Sequence, residues 1–242
     1  ISIKKNINLN LINNEFNGIQ VISHRFEKEK QILEIKFKNA KYKIHLNLLG
    51  KIQVKNILMA IIAANNSGIE FKKILKILPR IKPVEGRLEK IGKIHNNSKV
   101  ILDYAHTPAA LELALSNLKE QFPFNKINLI FGCGGERDLN KRPLMGKIAE
   151  KYCNEIYLTD DNPRNEKPFE IRNEIKKGIK NKTIHEIPDR KKAIQEAVKN
   201  LKTGDILLVA GKGHEKTQDY GKKRTFFSDQ KVILNSIRAK NK

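Results

Sequence analysis

Three short segments concentrate the side chains that can do chemistry. Residues 158–166 read LTDDNPRNE and place two carboxylates, an amide, a proline and a guanidinium in one loop. Residues 131–143 read FGCGGERDLNKRP, and residues 209–221 read VAGKGHEKTQDYG. Arg137 and Arg164 can clamp carboxylates in bidentate fashion, whereas Asp161, Asn162 and Glu215 can accept from ammonium groups. With Gly211 beside them, that mixture of signs suits a zwitterion such as an amino acid better than a phosphate or a nucleic acid. Pro163 fixes its own φ and restricts Asn162, so Asp161, Asn162 and Arg164 are presented in a defined geometry. Each segment also has a plainer reading. LTDDNPRNE can be an Asx-type turn capping the next helix. GCGGERD can be a tight turn or a weak phosphate loop. His214 has no Ser or Cys near it in sequence to make a nucleophile–base pair, and His106 can be a structural donor at a helix start.

Each of the three segments follows an apolar run with strand character: INLIF, EIYL and DILLVA. Helical patterns alternate with these runs. TPAALELALSNLKEQF has Thr107 as N-cap and Pro108 at the first helical position; KRPLMGKIAEKY, PFEIRNEIKKGI and DRKKAIQEAVKNLK follow. With KVILDYA as a further strand, this alternation predicts an α/β fold, a Rossmann-like, doubly wound, mostly parallel sheet. If the strands are parallel, the three loops leave the same edge of the sheet, where open α/β sheets bind ligands. Upstream, the first 50 residues alternate β-like runs (GIQVISHRF, QILEIKFK, YKIHLNLLG) with Asn-rich turns and predict a meander or edge strands. VKNILMAIIAANNSG and EFKKILKILPRI read as two helices, the first ended by Asn/Gly and the second stopped by proline. KPVEGRLEKIG, with Pro83 and Gly86, reads as an interdomain connection.

A length of 242 residues allows one large domain or two of ordinary size. No apolar stretch is long enough to span a bilayer, the longest being around NILMAIIAA. The formal charge of +22 raises nucleic-acid binding. However, lysine supplies most of the charge and is spread along the whole chain, Ile and Asn are over-used alongside it, and no stacking platform, recognition helix or zinc spacing accompanies it. No nucleic acid and no membrane are expected as partners. Cys133 and Cys153 lie far apart without a C-x-x-C and read as reduced thiols of a cytoplasmic protein. The chain starts at Ile1 rather than Met, which reads as a fragment or an incomplete gene product.

GRLEKIG, VILDYAHTPAAL, FGCGGERDLNKRPLMG, YLTDDNPRNEKP, LLVAGKGHEKTQ and FSD occur in that order and resemble successive motifs of the Mur ligases of peptidoglycan synthesis. The resemblance runs from about Gly50 to Asp229. It implies a partial central ATPase domain over residues 1–85 and a C-terminal Rossmann-like ligase domain over 86–242. It implies an ATP- and Mg2+-dependent ligase that phosphorylates a carboxylate of a UDP-MurNAc-peptide, after which an amino acid's amine attacks the acyl phosphate. The DNPR form resembles the branch that adds meso-diaminopimelate to UDP-MurNAc-L-Ala-D-Glu; lysine-adding relatives lack that arginine. Arg137, Asp161, Asn162, Pro163, Arg164, Gly211 and Glu215 match the family's amino-acid pocket. Arg87 and Asp103 match positions that hold the nucleotide's phosphate or ribose. Asn56 matches the second asparagine of a G-x-x-N-x-x-N element near the adenine, whose first asparagine is Gln53 here. The sequence contains no G-x-x-x-x-G-K-[ST], so the phosphate cradle and the metal-binding residues are expected upstream of this chain, and no catalytic or metal-binding residue is assigned within it. The expectation is a monomer acting on small molecules and inactive alone, with a lysine-adding ligase and a basic nucleic-acid-binding module as the alternatives.

Overall fold

The computed structural model describes residues 15, 16 and 18–242, so the expected β-rich region before residue 15 lies outside the described residues. The chain divides into two compact units, Ile1–Pro83 and Val84–Lys242.

In the first unit, β1 (Glu15–Phe16), β2 (Ile19–Glu27), β3 (Lys30–Phe37) and β4 (Ala40–Leu46) form an antiparallel sheet in sequential order. Helix α1 (Ile52–Asn66) presents Val54, Ile57, Leu58 and Ile61, the i, i+3, i+4, i+7 stripe of an amphipathic helix, to a core with Val21, Leu33 and Ile44. Its end is set by Gly68, whose φ of +88° is the left-handed conformation a helix C-terminus asks for. Helix α2 (Phe71–Ile77) gives way to a single 3-10 turn, Leu78–Arg80, because Pro79 cannot continue the ladder. Phe71 stacks on Phe37 with ring centroids 3.9 Å apart.

The second unit is an α/β fold. Its sheet contains β5 (Glu89–Lys90), β6 (Lys99–Asp103), β7 (Ile127–Phe131), β8 (Glu155–Leu158), β9 (Thr183–Glu186) and β10 (Ile206–Ala210), in the order β5-β6-β10-β7-β8-β9. All neighbours pair in parallel except β5 with β6. The crossover helices are α3 (Pro108–Gln121), α4 (Lys141–Tyr152), α5 (Pro168–Lys176) and α6 (Arg190–Asn200). A hairpin, β11 (Thr217–Asp219) with β12 (Arg224–Phe226), and helix α7 (Asp229–Lys240) complete the chain. Ile194, Val198, Ile233 and Ile237 of α6 and α7 pack on Val100, Leu102, Ile130 and Val209, while the alternate strand residues Ile101, Leu129 and Leu208 are equally buried on the opposite face. Central strands buried on both faces are why the sequence shows apolar runs instead of alternation. Thr107 caps α3 as its sequence predicts, accepting from the Ala110 N–H, with Pro108 in the first turn.

Strands β5 and β9, the hairpin and α7 are additions to the sequence reading, β5 lying within the segment read as an interdomain connection. Strand β9 is a four-residue edge strand with no buried residue, and the hairpin strands have three residues each. Neither leaves a periodic apolar signal. In α7 the run Val232-Ile233-Leu234 imitates a strand; only Ile233 of the three is fully buried, with Ile237 one turn on.

Candidate functional site

Strands β10, β7 and β8 are adjacent and parallel, so the loops that follow them leave the C-terminal edge side by side. The loops interlock through backbone. A Cβ on Gly135 would lie 1.9 Å from the Pro163 carbonyl oxygen, and one on Gly132 would lie 2.2 Å from that of Thr159. Only glycine permits that approach. The Gly135 N–H in turn donates to the Asn162 carbonyl at 2.9 Å.

The two adjacent aspartates of the β8 loop have different tasks. Asp160 is buried, ion-paired to Arg172 of α5, and accepts from the Tyr220 hydroxyl at 3.4 Å. Burial raises its carboxyl pKa, against the pull of Arg172. Asp160 therefore ties the loop to α5 and the hairpin. Asp161 faces Gly211, whose φ of +114° and lack of a Cβ leave room for Asp161 Oδ2; a Cβ there would sit 2.8 Å from that oxygen. The Asp161 backbone carbonyl is held by the Gln218 side-chain amide at 2.9 Å.

Asn162 and Glu215 meet over a buried lysine. Lys212 Nζ, fully buried, donates to Asn162 Oδ1 at 2.9 Å and to Glu215 Oε2 at 3.0 Å, and Asn162 Nδ2 donates to the same Glu215 oxygen at 3.0 Å. Burial pushes the Glu215 carboxyl up, but the Lys212 charge, the Asn162 amide and the Arg190 charge outweigh it and hold it below the usual carboxylate range. Arg164 adopts a left-handed φ of +53°, strained for a residue with a side chain, and is held there by its N–H on the Asp219 carbonyl at 3.0 Å. Its Nη1 donates to the Gly135 carbonyl at 2.6 Å, one of five guanidinium donors. Pro163 is buried between these groups. Asp161, Asn162, Pro163, Arg164, Gly211 and Glu215 are thus gathered on adjacent loops at one edge of the sheet, and Arg137 is exposed on the β7 loop.

The remaining sequence-derived candidates lie elsewhere. Asn56 is on the exposed face of α1 in the first unit, donating to Gln53 Oε1 at 3.1 Å. In the second unit, the exposed Arg87 guanidinium lies over the Tyr104 ring, 4.7 Å from its centroid. Both Asp103 oxygens accept backbone donors, Leu88 N–H at 2.7 Å and Ala105 N–H at 2.8 Å, and burial raises its pKa. Its first task is to hold the chain's own corner.

What sequence reasoning missed is the frame behind the crevice. Arg142 of α4 is almost fully buried; it pairs with Glu166 and Glu174 at 2.8 Å and reaches the Gly134 carbonyl. Arg190 is buried against Asp229. The sequence carried a signal for these. Only ten of its 48 basic residues are arginine, and six of the ten, Arg87, Arg137, Arg142, Arg164, Arg172 and Arg190, lie in or around these loops. Arg142, Arg172 and Arg190 each use the planar fork on carboxylates in a way a lysine cannot.

With this geometry in place, the likeness to known proteins can be read. The family pattern described as "Mur ligase, glutamate ligase domain" matches residues 86–213 and so takes in the β7 and β8 loops and the start of the β10 loop, ending short of Glu215. The chain belongs to the Mur ligase family. Among this family's curated members, the UDP-N-acetylmuramoyl-L-alanyl-D-glutamate--2,6-diaminopimelate ligase of Rickettsia felis is 41% identical over 93% of the chain and 42% of its own length. The protein of that name from Buchnera aphidicola subsp. Baizongia pistaciae is 46% identical over 82% of the chain and 39% of its own length. A solved structure of a ligase of that name superposes with a TM-score of 0.72 at 32% identity, over 94% of the chain and 47% of the solved one. The chain spans about two fifths of the length of the curated relatives it matches. The Mur ligase fold extends to folylpolyglutamate synthase of Thermotoga maritima, at a TM-score of 0.61 and 22% identity.

Proposed function

We propose that this chain is the C-terminal part of an ATP-dependent ligase that joins meso-diaminopimelate to UDP-MurNAc-L-Ala-D-Glu. The first unit would be the second half of the central ATP-binding domain, and the region from residue 86 would be the domain that receives the amino acid. The observation that carries the reading is the crevice's arrangement of charge. The β8 loop carries the Arg164 guanidinium, held through the Asp219 and Gly135 carbonyls, together with Asp161, and the β10 loop brings Glu215 to Asn162 of the same segment, both carboxylates being backed by buried cations. Diaminopimelate has an ammonium and a carboxylate at each end. Arg164, aided by Arg137 at the rim, would take the distal carboxylate, while Asp161 and Glu215 would take the distal ammonium. Asn162, committed to Lys212 and Glu215, would orient Glu215. The opposite amine is then left facing the carboxylate it is to join, with rotation and water access restricted.

ATP, when bound, supplies the activation of that carboxylate. In this chain a nucleotide's polar end fits Arg87, an exposed guanidinium already spread over an aromatic ring, with Asp103 offering its remaining lone pairs. In the first unit, Asn56 has an exposed amide that a nucleotide base could meet. The phosphates and magnesium do not fit these residues. The sequence has no G-x-x-x-x-G-K-[ST], and among the described residues no three His, Cys, Asp or Glu side chains are gathered to hold a metal. The 242-residue chain alone is therefore expected to form no amide.

The test is a hybrid in which the upstream portion of the Rickettsia felis relative is joined to this chain. The hybrid is expected to consume ATP and attach diaminopimelate to the muramyl dipeptide. A folded hybrid that attaches lysine instead, or attaches neither, rejects the assignment.

A further inference from the structure

Arg190 is the first residue of α6, where the helix dipole disfavours a cation, and it is completely buried. Two costs are thus accepted at one position. Its Nε donates to Asp229 Oδ1 at 2.8 Å, and its Nη2 donates to Asp229 Oδ2 at 2.7 Å and to the Ala210 carbonyl at 2.9 Å. Asp229 is itself fully buried at the start of α7, where a carboxylate is favoured, and needs no partner outside this pair. The remaining nitrogen, Nη1, has no hydrogen-bond partner, and neither does the buried Asp161 Oδ2. The two lie 4.0 Å apart. That is beyond hydrogen-bond length but within the range where opposite charges in a dry interior interact strongly. On its other side, Asp161 Oδ2 is confined by Gly211, the residue after Ala210.

We propose that Arg190, locked by Asp229, is a positioning residue for the amino-acid crevice. Its guanidinium fixes the Asp161 carboxylate from behind so that the other side of that carboxylate meets the ligand's ammonium group. Arg190 does not itself touch the ligand. The FSD segment is thereby tied to the crevice: Asp229 anchors the arginine that orients Asp161. The inference rests on the amino-acid reading of the crevice for its consequence, though not for its geometry.

A buried ion pair replaced as a whole by apolar side chains of similar volume commonly leaves a fold intact. The variant to make is therefore R190M/D229L, with R190K as a second, milder one that keeps the charge beside Asp229 but loses the planar fork. Circular dichroism and melting establish folding, calorimetry measures meso-diaminopimelate binding, and the Asp161 carboxyl ¹³C resonance reports its surroundings. A folded R190M/D229L is expected to bind diaminopimelate roughly 30-fold or more weakly. In a D161N background the same pair of changes is expected to add little, because residues acting through one another are not additive. The Asp161 resonance is expected to shift in R190M/D229L and in R190K. A folded variant that binds like the parent, or whose loss simply multiplies with D161N, overturns the proposal. If the parent chain binds no diaminopimelate, the amino-acid reading fails instead, and the resonance still decides: unmoved in both variants, it shows that Arg190 does not position Asp161.

Discussion

Individual side chains in this protein divide into those that can meet a ligand and those that hold them. Lys212 belongs to the second group, and its effect on Glu215 can be measured. Glu215's carboxyl sits below the usual carboxylate range because Lys212, Asn162 and Arg190 outweigh its burial. The sign follows from the depressed value. Glu215's charged form, and any binding that needs it, persists above the ordinary carboxylate pKa and is lost only as pH falls through the lower folded value. Lys212→Met is therefore expected to move the acid limb of diaminopimelate binding to higher pH; an unmoved limb in a folded variant would disconnect the two residues. Arg87 and Asp103 separate in the same way. Arg87→Ala should weaken nucleotide binding with little change in melting temperature, because the side chain is exposed. Asp103→Ala should lower the melting temperature as well, since it strands the Leu88 and Ala105 donors. Equal melting temperatures for the two would contradict that division. The residues proposed to face the ligand stand in the sequence as a cluster of opposite charges. Their supports show only in the choice of arginine over lysine, because Arg142, Arg172 and Arg190 stand on helices that otherwise read as ordinary amphipathic segments with solvated charges.

The elements that carry the site were legible in proportion to their burial. Strands β6, β7, β8 and β10 announce themselves as apolar runs, and α3 by its Thr-Pro start. From that alternation the parallel sheet and the shared edge of three loops followed. The interlock of those loops did not, because a close approach of two backbones shows in sequence only as glycine. Gly135 offers the test. A methyl group there would meet the Pro163 carbonyl at 1.9 Å, a backbone atom that must move with its whole loop. Gly135→Ala is expected to cost about 1–3 kcal/mol in stability, the range for overpacking, and to abolish amino-acid binding in the fraction that stays folded. Unchanged melting and binding would mean that the β7 and β8 loops are not held together as described.

Over the whole molecule, two properties yield tests. The charge of +22 is dispersed, and Arg142, Arg172 and Arg190 behind the three loops are paired with carboxylates, not displayed as a phosphate-binding stripe. Binding to random DNA is accordingly expected to lack the steep log–log salt dependence of phosphate tracking. Cys133 and Cys153 are free and buried. Burial pushes the Cys133 thiol up to about 12, and the Cys153 thiol is raised by the same cause. Both are expected to resist thiol reagents in the native chain at neutral pH and to react on unfolding; prompt labelling of the native protein would contradict the packing of the sheet.

The central claim is that the crevice recognises an amino acid by its distal carboxylate through Arg164. Calorimetry of the chain and of its Arg164→Ala variant, each titrated with meso-diaminopimelate and with L-lysine, tests it most directly, since the two ligands differ only in that carboxylate. The parent is expected to prefer diaminopimelate, and the variant to lose about 10²-fold for diaminopimelate while lysine binding, already weak, changes far less. Parallel losses for both ligands in a folded variant, or no preference in the parent, would contradict the account and leave LTDDNPRNE as a turn.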